Sequence, residues 1–151
     1  MPESYLLSQI LPIFFLVVLS AFFSSSETAI TSISETLLQK KIFEGDPKAI
    51  KTQKLLKKKE LTISAILLGN NLVNILSSAL ATNILIKLFG PIGILYSTLL
   101  MTSLIFIFAE VLPKIYAIRK PETLLLFYTP LLIFIVRLLS PINSLVHKLI
   151  Q

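Results

Sequence analysis

Residues 61–118 read LTISAILLGN NLVNILSSAL ATNILIKLFG PIGILYSTLL MTSLIFIFAE VLPKIYAI, and this stretch decides the fold. Its charges are Lys87, Glu110 and Lys114, and Gly90-Pro91 divides it into two long apolar halves. A Gly-Pro pair is a turn signal, so 61–89 and 92–118 are predicted to form an antiparallel helical hairpin. At about 1.5 Å per residue each arm is long enough to cross a hydrocarbon core of about 30 Å.

Upstream, residues 5–33 form another apolar segment, interrupted by Ser24, Ser25, Ser26, Glu27 and Thr28. No Lys or Arg precedes it and Glu3 is the only charge there, so it lacks the positive start of a secretory signal. It is predicted to stay as the first span. Residues 34–60 are polar and lysine-rich, with a breaker at Gly45-Asp46-Pro47. Ser34 and Asp46 are expected helix N-caps, and Pro47 suits a first helical position. Two short amphipathic helices on the membrane surface follow from this.

Downstream, Arg119-Lys120-Pro121 ends the hairpin, and 122–150 is apolar but carries Pro130, Arg137 and Pro141. Were it to span, Arg137 would sit near the bilayer centre at a cost of about 2.5–3.5 kcal/mol. A helix–kink–helix in the interface lets Arg137 snorkel, so 122–150 is expected as interfacial helices. The predicted fold class is therefore an all-α integral membrane domain. Three transmembrane helices are accompanied by amphipathic juxtamembrane helices on the cytoplasmic side.

Composition agrees. Hydrophobic residues make up 54% of the chain and mean hydropathy is +0.84, with charge gathered into short stretches. Eight of the fourteen basic residues lie between Lys40 and Lys59, beside apolar spans, so the +6 charge points to a membrane surface and not to nucleic acid. The positive-inside rule puts the lysine-rich loop and Arg119-Lys120 in the cytoplasm of a multi-pass plasma-membrane protein, with the N-terminus outside and the C-terminus inside. With no cysteine and His147 alone, thiolate and multi-imidazole metal sites are excluded. No His-Glu-x-x-His pair, Ser/Lys dyad or catalytic aspartate pair stands in the spans, so an enzyme is not expected.

The informative residues are polar ones inside the spans. Ser20, Ser24, Glu27 and Thr31 recur on one helical stripe; Asn70, Asn74 and Ser77 share a face; Ser103 and Glu110 are seven apart. Asn70 lies eleven residues from Lys59, Glu110 nine from Arg119, and Ser24 ten before Ser34. Each separation converts to roughly 13–16 Å, near half of a 30 Å core. Three helices thus bring oxygen-bearing side chains to one level. Pro113 lacks an N–H and is expected to release the carbonyl of Ala109, while Gly69 allows a local departure from regular helix. An all-oxygen set suits a hard cation such as Mg²⁺, Ca²⁺, Mn²⁺ or Na⁺. The plainer readings stand beside it. Serine and asparagine also serve as interhelical hydrogen-bond glue, Glu110 could pair with Lys114 at i,i+4, and Glu27 could cap or pair.

Three segments carry a family resemblance: Ala21-Phe-Phe-Ser-Ser-Ser-Glu-Thr-Ala-Ile30, Leu68-Gly-Asn-Asn-Leu-Val-Asn-Ile75 and Ala109-Glu-Val-Leu-Pro-Lys114. In that order they resemble the DUF21 transmembrane domain of the CorC/CNNM magnesium-transport family, and the likeness covers nearly the whole chain. The resemblance implies a homodimer of three-span subunits with a Mg²⁺ site in an inward-facing cavity and Na⁺-coupled Mg²⁺ export. Carried over by motif, the metal-site residues are Ser24, Gly69, Asn70, Asn74 and Glu110, with Ser26 and Glu27 as neighbours. Where the family often has a glycine between serines, this chain has Ser25. The resemblance also implies cytoplasmic CBS domains, absent from this chain, so the sequence is expected to be a fragment of a longer protein. The alternative function is a non-transporting Mg²⁺ sensor or membrane scaffold that regulates other transporters.

Overall fold

The computed structural model describes residues 2–151, which are helical almost throughout. Helix α1 is Glu3–Ser32, α2 Glu35–Phe43, α3 Pro47–Lys57 and α4 Lys59–Phe89. A short 3₁₀ turn, Gly90–Ile92, leads into α5, Gly93–Leu104. A seven-residue π-helical segment, Ile105–Val111, then joins α5 to α6, Leu112–Arg119. The last helix, α7, is Pro121–Ile150.

Local chemistry explains the joints. The Ser34 hydroxyl accepts from the Leu37 N–H at 3.4 Å and the Asp46 carboxylate from the Lys48 N–H at 2.9 Å. Each satisfies a donor that a helix start leaves without a partner, as read from the sequence. Gly45 and Gly90 have φ of +82° and +72°, conformations that an L side chain rarely adopts. At the second turn α4 and α5 pack very closely. A Cβ on Gly93 would lie 2.3 Å from the Leu85 carbonyl oxygen, and the Thr82 and Ser97 hydroxyls bond at 2.7 Å.

The chain divides into two compact units. The first comprises Met1–Ser24 with Gly69–Pro113, the second Ser25–Leu68 with Lys114–Gln151. In the first unit burial is inverted relative to a water-soluble domain. Ser20, Ser24, Asn70, Ser77 and Ser97 are buried while Leu11, Phe14 and Ile75 are about 70% exposed (70%, 68% and 70%). Large exposed apolar surface around a polar interior needs a hydrocarbon solvent. In the second unit α3 buries Ala49, Thr52 and Leu55 on one face and leaves its lysines on the other. Leu38, Ala49 and Leu126 form a small core there, with Ile42 and Leu56 against it.

Three helical runs, Glu3–Ser32, Lys59–Arg119 and Pro121–Ile150, are long and apolar enough to cross a membrane. The 61-residue run folds back at Gly90, so it supplies the two arms of the expected hairpin. The end of the chain departs from expectation. Instead of helices separated by a kink, residues 121–150 form one unbroken helix through Pro130 and Pro141. Both prolines are on the exposed side, while Leu125, Leu126, Leu132 and Ile135 are buried along the other side of the helix. That packing outweighs the missing donors. By length and composition α7 therefore also qualifies as a span. What sets it apart is distribution, since its polar and apolar residues segregate onto opposite faces far more than those of α1 or α4.

Candidate cation site

The first unit brings Ser20, Ser24, Asn70, Asn74 and Glu110 into one hydrogen-bonded cluster. The Ser24 hydroxyl donates to Glu110 Oε2 and the Asn70 amide to Glu110 Oε1, each at 3.3 Å. Ser20 donates to Asn70 Oδ1 at 2.7 Å, and the Asn74 amide reaches the same oxygen at 3.5 Å. Ser20 and Ser24 are fully buried and Asn70 nearly so. The helix periodicities account for the meeting: 20 and 24, and 70 and 74, are each one turn apart on one face.

Glu110 sits in the π-helical segment. There the Leu112 N–H donates to the Ile107 carbonyl, five residues back. Pro113 follows and cannot extend that ladder. The widened turn also rotates Glu110 relative to α5. Ser103, expected on its face, is instead exposed and bonded to the Leu99 carbonyl of its own helix.

One atom stands out chemically. Asn74 Oδ1 is buried without a hydrogen-bond partner, an arrangement that costs about 1–3 kcal/mol unless something else satisfies it. It adds an orphaned carbonyl oxygen to the two carboxylate oxygens of Glu110. Among the described residues no three His, Cys, Asp or Glu side chains converge. The set is therefore one carboxylate with neutral oxygens. It fits a hard cation that keeps part of its water shell and suits soft metals poorly. Glu110 also lines a cavity of about 430 Å³ whose walls carry the hydroxyls of Ser78, Thr82, Ser97, Thr98 and Thr102.

The remaining sequence-derived residues fall elsewhere. Gly69 adjoins Asn70, but α4 runs through it without interruption. Its function is spatial, because a Cβ there would lie 2.6 Å from Cζ of the buried Phe23 ring. Ser26 belongs to the second unit and is fully buried. So does Ser25, whose hydroxyl donates to the Tyr128 oxygen at 3.5 Å. Glu27 is half-buried, and its carbonyl accepts from Thr31. Ser20 is the residue missing from the motif-derived set, although its place four residues before Ser24 marked it on the same stripe.

A family model described as the cyclin M transmembrane N-terminal domain matches residues 11–151. The chain is 36% identical over 137 residues to the "UPF0053 inner membrane protein YfjD" of Escherichia coli, covering 88% of this chain and 32% of that protein. It is 37% identical over 131 residues to a "UPF0053 protein" of Haemophilus influenzae, covering 87% and 31%. A putative DUF21 domain-containing chloroplastic protein of Arabidopsis thaliana matches at 33% over 107 residues, 71% of this chain and 16% of the relative. The chain thus spans about a third of the length of its bacterial relatives.

Proposed function

Since this chain belongs to the cyclin M (DUF21) transmembrane domain family and is a multi-pass membrane domain, we propose that it carries Mg²⁺ outward across the membrane in exchange for Na⁺. The observation that carries this reading is the buried, partnerless Asn74 Oδ1 beside the Ser24–Asn70–Glu110 cluster. Glu110 supplies the charge, Asn74, Asn70 and Ser24 supply neutral oxygens, and retained water completes six-coordination. Gly69 contributes by admitting Phe23 behind Asn70. Broken or re-registered helices at mid-depth build ion sites in transporters, and the π-helical segment is such a device. The hydroxyl-lined cavity continues from Glu110 along α4 and α5 toward Gly90. Its hydroxyls offer a hydrated ion a route toward the far side.

In this reading α7 lies in the cytoplasmic interface, apolar face to lipid, and two copies of the chain pair within the membrane. Reconstitution of the purified protein in liposomes tests it, with Mg²⁺ efflux followed with and without an opposing Na⁺ gradient. Sodium-dependent flux that vanishes in a folded Glu110→Gln protein is the expected result. Mg²⁺ binding without flux would favour a sensor or scaffold that acts on other transporters.

A further inference from the structure

The second unit holds a cavity of about 840 Å³ that has no part in the cation site. One wall is the lysine side of α3, where Lys51, Lys54 and Lys57 recur every three residues, with Lys58 following at the C-cap. The opposite wall is the polar stripe of α7, where Arg137, Ser140 and Ser144 recur at i, i+3 and i+7. Between them the floor is apolar, made by Leu55, Leu61, Ile133, Val136 and Pro141.

The walls are fixed in place. The Thr62 hydroxyl donates to the carbonyls of Leu55 and Lys58, locking the joint between α3 and α4. The Asn143 amide donates to the Leu61 carbonyl at 3.4 Å, and Thr52 and Thr129 bond at 2.6 Å, so α7 is pinned on both sides of Arg137.

Charge decides what the cavity takes. No acidic residue lines it. Among the described residues none of Lys51, Lys54, Lys57, Lys58 and Arg137 forms an ion pair. Five like charges around one space repel one another and call for an anion. Guanidinium is the cation best shaped to grip phosphate oxygens in pairs. A free phosphate would leave most of this volume and all of the apolar floor unused. Basic pockets beside membrane helices on the cytoplasmic side take lipid headgroups.

From these features we infer that the cavity is a specific binding site for one anionic phospholipid. Its phosphate lies between Arg137 and the α3 lysines, and its glycerol and upper acyl chains lie on the Leu61–Ile133–Val136 floor. The inference is independent of whether the domain moves Mg²⁺. It also gives the Arg137 guanidinium an anionic partner.

The test is a lipid titration of the purified, delipidated protein in neutral detergent, read by native mass spectrometry. Dioleoylphosphatidylglycerol is compared with dioleoylphosphatidylcholine. The expected result is one phosphatidylglycerol per chain, held at least tenfold more tightly than phosphatidylcholine. Lys54→Gln/Arg137→Gln should weaken it at least tenfold. Lys40→Gln/Lys41→Gln, which removes the same charge from α2, should change it less than twofold. If the first double variant does not fold, Arg137→Lys keeps the charge, loses the fork and should still weaken binding several-fold. Equal retention of the two lipids, equal loss in the two double variants, or no change in Arg137→Lys would overturn the site. Full displacement by millimolar inorganic phosphate would overturn the lipid assignment in favour of a soluble phosphate.

Discussion

Asn70 and Asn74 sit one turn apart on α4, yet their side chains are in opposite situations. Asn70 is satisfied on both ends, accepting from Ser20 and donating to Glu110. Asn74 leaves a buried oxygen without a partner. The two alanine variants should therefore separate folding from binding. Asn70→Ala strands Ser20 and removes a donor from Glu110, at about 1–3 kcal/mol of stability, with binding lost as well. Asn74→Ala removes an unsatisfied oxygen, so detergent melting should barely move while Mg²⁺ affinity falls at least tenfold by calorimetry. Equal destabilisation in both would mean that Asn74 is structural glue. Gly69 is a second residue-scale case. The motif marked it as a site residue, but only the packed Phe23 ring shows why a side chain is barred there. Gly69→Ala should cost about 1–3 kcal/mol by overpacking. Phe23→Leu in the same chain should restore much of the melting temperature.

The seven-residue π segment is the element on which the site turns, and it was the least legible in the sequence. Periodicity and caps gave the hairpin, the Ser34 and Asp46 helix starts and the serine and asparagine stripes, because each is a local pattern with a local cause. A π register has no such signature. Pro113 marked the place but not the shift, and with an extra residue in the turn Ser103 leaves the face of Glu110. The unbroken α7 was illegible for a related reason, since the burial that carries it through Pro130 and Pro141 is tertiary. If Pro113 sustains the π register by withholding an N–H, then Pro113→Ala lets the segment relax to an α-helix. Stability should hold or rise, because a hydrogen bond is regained. Mg²⁺ affinity should fall at least tenfold, because Glu110 rotates away from Ser24 and Asn70. Unchanged affinity would show that packing alone holds the register.

For the whole molecule the governing fact is where charge is allowed. Residues 40–59 hold eight of fourteen basic side chains, and Arg119-Lys120 lies next to α7, within the same unit. The Gly90 turn has only Lys87 nearby. Helix α4 is 31 residues long, about 46 Å at 1.5 Å per residue, which is long enough to cross a 30 Å core. The tendency of positive charge to stay in the cytoplasm predicts that the Gly90 turn lies outside. The absence of cysteine makes this directly measurable, since any introduced thiol is the sole reactive one. Pro91→Cys and Lys57→Cys are both at exposed positions. A membrane-impermeant maleimide should label Pro91→Cys in intact cells and Lys57→Cys only after permeabilisation. The reverse pattern would invert the topology and turn the proposed efflux route into one of uptake. Labelling of both from outside would remove α4 from the set of spanning helices, and with it the mid-membrane depth on which the cation site depends.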